Sequence, residues 1–74
     1  MPGLITIDDS RQLGELLKTR RKKLGITQMD LAKFARLSHT GIGRIEMAQN
    51  DVKFSTLIKL SEMLGFKIKI ELED

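Results

Sequence analysis

The sequence predicts a mainly α fold, a bundle of four or five helices followed by a β-strand at the carboxyl end. Three observations predict it. Apolar residues recur at helical spacing in separate stretches between Leu13 and Leu64. Two of these stretches, QMDLAKFA and HTGIGRIE, each follow a capping hydroxyl, and the two caps, Thr27 and Ser38, lie eleven residues apart. After Gly65 the period changes, and FKIKIELE alternates strictly between apolar and charged residues.

In chain order, Leu4-Ile5-Thr6-Ile7 is short and β-prone, and reads as an extended arm or a strand. The first helix is expected over residues 9–24, with Asp9 as cap, Gln12 at the box position and Gly25 as terminator. Leu13, Leu16, Leu17 and Leu24 form its apolar stripe. Lys18, Arg20, Arg21, Lys22 and Lys23 crowd its last turns, either as solvated cations complementing the helix dipole or as phosphate contacts.

The second helix, residues 28–35, starts after Thr27, with Asp30 at the box position and Ile26 stapled against Leu31. The third, residues 39–46, repeats the device with Ser38 as cap and Leu37 against Ile42. Leu31, Ala35, Leu37, Ile42 and Ile45 supply the inner faces, and the small Ala32 lets the two axes approach. Arg36 occupies the turn, where positive φ is expected and Gly is the usual residue. A polar loop from Ala48 to Lys53 leads to a helix over 54–64. Leu57, Ile58 and Leu64 are its expected buried stripe, with Phe54 at its mouth and Gly65 closing it.

The strand, residues 66–73, places Phe66, Ile68, Ile70 and Leu72 on one face. Its backbone groups need a partner, which only Leu4–Ile7 or a second copy of the strand can supply. Antiparallel self-pairing about Ile70 sets Lys67 against Glu73, Lys69 against Glu71 and Ile68 against Leu72. A parallel pair in register would oppose like charges. The strand therefore reads as the dimerisation element of a two-fold homodimer.

At 74 residues the chain is one small domain, near the lower size limit for a self-sufficient core. With no Cys and a single His, it offers no disulfide, no zinc site and no nucleophile–base pair. Gly41 and Gly43 lie inside a helix rather than in a phosphate loop before one. Catalysis, a metal and a cofactor are accordingly not expected. The net charge of +3 suits a polyanionic partner without demanding one. No apolar run reaches membrane-spanning length and Met1-Pro2-Gly3 lacks signal-peptide character, so a soluble cytoplasmic protein is expected.

Two short helices joined in this way form the pattern of a DNA-binding helix-turn-helix, whose second helix enters the major groove. Gln28 can then anchor a phosphate through its side chain and backbone N–H. Ser38, His39, Thr40, Gly43 and Arg44 fall on the outer face of the second helix, away from Ile42 and Ile45. Arg44 is the candidate base reader, because guanidinium matches the O6/N7 edge of guanine; a phosphate contact or a solvated charge are the alternatives. His39 is either a DNA-facing hydrogen-bonding group or a plain surface residue. Gly41 and Gly43 each cost about 1 kcal/mol against Ala in a helix interior, which close approach to DNA, close approach to another helix or mere tolerance would explain.

TQMDLAKFARLSHTGIGRIE resembles the lambda/434-repressor-like helix-turn-helix of the XRE family, and the likeness extends from about Gln12 to Leu64. The resemblance implies a pairing of Arg21 with Glu46, and DNA contacts from Gln28, Ser38, His39, Thr40 and Arg44. Arg36 and Ala48 depart from the family pattern, the latter standing where Gly usually follows the motif. Within the family, the chain is most similar to HipB-type antitoxins. That likeness implies a dimeric repressor that binds a palindromic operator, autoregulates its operon and neutralises a HipA-like Ser/Thr kinase toxin. Longer members carry a tail beyond the strand, so no tail-mediated toxin contact is expected here. A stand-alone XRE regulator, or an interaction module that no longer binds DNA, are the alternative readings.

Overall fold

The computed structural model describes residues 3–74; Met1 and Pro2, part of the segment read above as no signal peptide, lie outside the described residues. Four helices follow in the order α1 (Ser10–Lys23), α2 (Gln28–Ala35), α3 (His39–Glu46) and α4 (Phe54–Leu64). The fold is mainly α. α2 packs on α3 and α4, and α1 lies across α3 and α4.

Local chemistry sets the helix starts. Asp9 accepts from the Gln12 N–H at 2.8 Å, Thr27 Oγ1 from Asp30 N–H at 3.0 Å, and Ser38 Oγ from Gly41 N–H at 2.9 Å. Gln12 returns the bond to the Asp8 N–H rather than to that of Asp9, so the first capping box is shifted by one residue.

All four helices end alike, on a left-handed residue: Gly25, Arg36, Ala48 and Gly65. The next N–H folds back onto the last turn, from Ile26 to the Arg21 carbonyl, Leu37 to Ala32, Gln49 to Arg44 and Phe66 to Ser61. Ile26, Leu37 and Phe66 are thereby turned onto the core, so three of the four reversals also dock an apolar side chain.

The core is Leu17, Leu31, Ala32, Ala35, Ile42, Ile45, Leu60 and Leu64. It corrects two sequence expectations. In α4 the buried face is Leu60, Ser61 and Leu64, with Leu57 partly buried, whereas Ile58 and Phe54 are exposed. Ser61 enters this face without leaving an unpaired hydroxyl, because its Oγ donates to the Ile58 carbonyl at 2.6 Å. Leu24 leaves the stripe of α1: it is the C-cap, past the last helical turn, and is exposed.

Two contacts fix α1 against the rest. At Gly14, a Cβ would lie 2.5 Å from the Glu46 carbonyl oxygen and 2.8 Å from that of Ile45, so α1 meets the end of α3 backbone to backbone. Arg20 donates twice to the Leu64 carbonyl, at 2.8 and 3.1 Å, and caps the carboxyl end of α4.

The segment after Gly65 forms no helix and no ladder with another segment among the described residues. Phe66 packs against the core, but exposure climbs along the same face, from 37% at Ile68 to 84% at Ile70 and Leu72. Leu4 and Ile5 of the amino-terminal arm are exposed as well, and the arm does not pair with the carboxyl segment.

Candidate nucleic-acid interface

α3 carries an inner and an outer face that differ sharply. Ile42, Ile45 and Glu46 are buried, while Ser38, His39, Thr40 and Arg44 are exposed on the opposite side. The helix is held from both ends: Ser38 caps it, and the Ala48 reversal after Met47 turns the chain away. Gly41 is half-buried, and a Cβ there would press on the Ser38 cap at 3.1 Å. At Gly43 a Cβ would meet only the Gln28 amide, at 3.8 Å. No neighbouring helix backbone comes within contact of a Cβ at Gly43.

Behind α3 stands a buried ion pair. Arg21 Nε donates to Glu46 Oε2 at 2.6 Å and Arg21 Nη2 to Glu46 Oε1 at 3.2 Å, while Arg21 Nη1 donates to the Ile26 carbonyl at 3.0 Å. The pair is forked, and every buried polar side-chain atom among the described residues has a partner. It ties the last turn of α1, the loop before α2 and the last turn of α3 together, which fixes the direction in which the outer face looks.

Gln28 extends this network to the surface. Its Nε2 donates to Glu46 Oε1 at 3.0 Å, and its Oε1 lies 2.9 Å from His39 Nε2. Gln28 and His39 are the first residues of α2 and α3, so the two capped helix starts are bridged directly. The Gln28 side chain is thus engaged at both ends. Its backbone N–H, with no intrahelical acceptor at the start of α2, remains suited to an anion.

The cationic cluster of α1 divides into parts. Arg20 and Arg21 are committed to Leu64 and Glu46. Lys22 and Lys23 are exposed, and Lys22 borders one shallow groove with Thr27, Gln28 and His39. The groups facing outward are hydroxyls, an imidazole, a guanidinium and helix-start N–H groups, which can recognise phosphate and base edges. Among the described residues, no three or more His, Asp and Glu side chains gather as a metal site would require, and no helix is long and apolar enough to cross a membrane.

Three features escape the sequence reading: the Gly14 approach, the Arg20 cap and the Gln28 bridge. Gly14 does leave a signal, since Gly inside a helix beside Leu13 and Leu17 is costly unless something passes close by. Arg20 and Gln28 leave none, because their partners are distant along the chain.

The Helix-turn-helix family model matches residues 17–70. No curated protein matches the chain. Among solved structures, the restriction-modification controller protein C.AhdI from Aeromonas hydrophila is similar over 80% of this chain and 89% of its own, with 27% identity and a TM-score of 0.75. HipB, in a complex with an O2 20mer, is 22% identical with a TM-score of 0.79, over 97% of this chain and 100% of its own. The same identity and TM-score hold for a HipA-HipB-O2-O3 complex, over 96% of this chain and 100% of that one.

Proposed function

The chain belongs to the helix-turn-helix family of XRE type and is a DNA-binding regulator of that class, and from that premise we propose a dimeric repressor that reads a palindromic operator with α3. The observation that carries the proposal is the two-faced α3, whose inner face is locked by Arg21–Glu46 while Ser38, His39, Thr40 and Arg44 are exposed on the other. In this reading Arg44 contacts a base edge. Ser38, Thr40 and the Gln28 backbone N–H hold phosphates, and Gly43 admits the DNA backbone closely. Two copies joined through Phe66, Ile68, Ile70 and Leu72 would set two α3 helices on half-sites about 34 Å apart.

The biological setting we propose is that of an antitoxin partnered by a HipA-like kinase. Its support is the fold shared over nearly the whole chain with HipB, seen also together with HipA. The second reading, a stand-alone regulator, draws on the higher identity to a restriction-modification controller protein. Co-purification with the product of a neighbouring kinase-like reading frame separates the two.

Selection of bound sequences from a random DNA pool tests the core of the proposal. A two-fold symmetric site is the expected product, with affinity falling steeply as salt rises. Arg44→Ala should then cost about 1–3 kcal/mol on the selected site and relax one base pair per half-site. An equal loss on random DNA would reduce Arg44 to a phosphate contact. A pool that yields no enriched sequence would leave the chain a protein-interaction module.

A further inference from the structure

The chain of contacts Arg21–Glu46–Gln28–His39 has a direction, and the chemistry of each member sets it. Glu46, forked on Arg21, is a carboxylate and accepts only. The group turned toward its Oε1 at 3.0 Å must therefore be the amide nitrogen of Gln28; the flipped amide would set two acceptors face to face. Gln28 Oε1 is then committed to the opposite side, 2.9 Å from His39 Nε2. A carbonyl oxygen also accepts only, so Nε2 carries a hydrogen. A neutral imidazole has one N–H, which leaves Nδ1 as a bare acceptor.

We infer that the buried ion pair, acting through Gln28 as a positioning residue, fixes the tautomer of His39 so that this residue selects a hydrogen-bond donor on the DNA. In the major groove the base donors are the amino groups of adenine N6 and cytosine N4; guanine presents O6 and N7, and thymine O4, all acceptors. His39 is the exposed first residue of α3, at the end of a recognition helix that meets base edges. The relay thus assigns adenine or cytosine to one position of each half-site, on the strand that faces His39. Gln28 gains its role from Glu46 on one side and His39 on the other, and the second hydrogen of its amide nitrogen is left over for a phosphate.

The inference rests on DNA binding by α3, and two measurements keep it apart from that reading. The first uses the free protein. Long-range proton–nitrogen spectra of the imidazole at alkaline pH should report a protonated Nε2 and a bare Nδ1. The Nε2 hydrogen should exchange slowly with water, and Gln28→Met should abolish that protection. A ring protonated at Nδ1, or protection unchanged in Gln28→Met, overturns the relay whatever the protein binds. The second compares sequences selected by wild type, His39→Ala and Gln28→Met, with thermal melting to verify that each variant is folded. Wild type should favour adenine or cytosine at one position per half-site by about three- to tenfold, as one hydrogen bond allows. His39→Ala should erase that preference and Gln28→Met should reduce it, each leaving the other positions intact. A guanine or thymine preference that disappears in His39→Ala overturns the assignment. Failure to enrich any sequence overturns DNA reading itself, while the spectra still report on the relay.

Discussion

At the scale of single residues, Arg21 and Glu46 matter most because they are buried, charged and mutually satisfied. The side chains are 11% and 2% exposed, and each has a further partner, the Ile26 carbonyl for Arg21 and the Gln28 amide for Glu46. Removing one partner leaves an uncompensated buried charge, at a cost of about 3–5 kcal/mol. Glu46→Ala and Arg21→Ala should each lower the melting temperature strongly, and the double variant should lose less than the sum of the two. Additive losses would show that the two charges act independently. Gly14 is the other sensitive residue. Ala would gain about 1 kcal/mol in helix propensity, but its Cβ meets backbone carbonyls that cannot rotate aside, at about 1–3 kcal/mol. We expect Gly14→Ala to melt lower by several degrees, since 1 kcal/mol is worth roughly 4–8 °C in a domain of this size. A higher melting temperature would mean that α1 can move off α3 at little cost.

At the scale of elements, the four left-handed helix ends invite a comparison that the protein itself sets up. Gly25 and Gly65 adopt φ of 71° and 73° freely, whereas Arg36 and Ala48 adopt 57° against the steric preference of an L-residue. Arg36→Gly and Ala48→Gly should therefore stabilise the fold by about 1 kcal/mol each, less the entropy that Gly adds to the unfolded chain. Denaturant unfolding at unchanged slope would measure it, and destabilisation by both variants would refute the strain. The same ends show what is legible in the sequence. Both positions are identifiable beforehand as departures from a Gly-bearing pattern, and the caps at Asp9, Thr27 and Ser38 are readable because their partners lie three residues away. α4 is less legible. Lys53 gives it no side-chain cap, and Phe54, Leu57, Ile58, Leu60, Met63 and Leu64 surround it with apolar choices. Which of them point inward is decided by α1 and α2 packing on the helix, so Leu60 and Ser61 win over Ile58 for reasons absent from its own sequence. In the candidate interface, the outward residues follow from helical period. The Gln28 bridge does not, because it joins helix starts whose spatial relation only the folded pair creates.

At the scale of the whole molecule, the open question is what covers Ile70 and Leu72. A single chain leaves both 84% exposed within the charged alternation, and the amino-terminal arm does not pair with them. Antiparallel self-pairing about Ile70 would bury them against their own copies and create two Lys69–Glu71 contacts per dimer. Lys69→Glu would then set Glu against Glu twice, at about 0.2–1 kcal/mol per pair. Adding Glu71→Lys should restore the dimer, because the charges only exchange sides. A parallel dimer in register would gain nothing from the second change, since like would still face like. Pairing with Leu4–Ile7 would make dimerisation indifferent to both. The measurement is the dimer Kd of wild type, the two single variants and the double variant at low salt, where such pairs are least screened. Operator affinity at fixed chain concentration should follow the same order, because two α3 helices must reach their half-sites together. Recovery in the double variant by both readouts is the expected outcome; a double variant no better than Lys69→Glu would remove the antiparallel strand as the basis of the dimer.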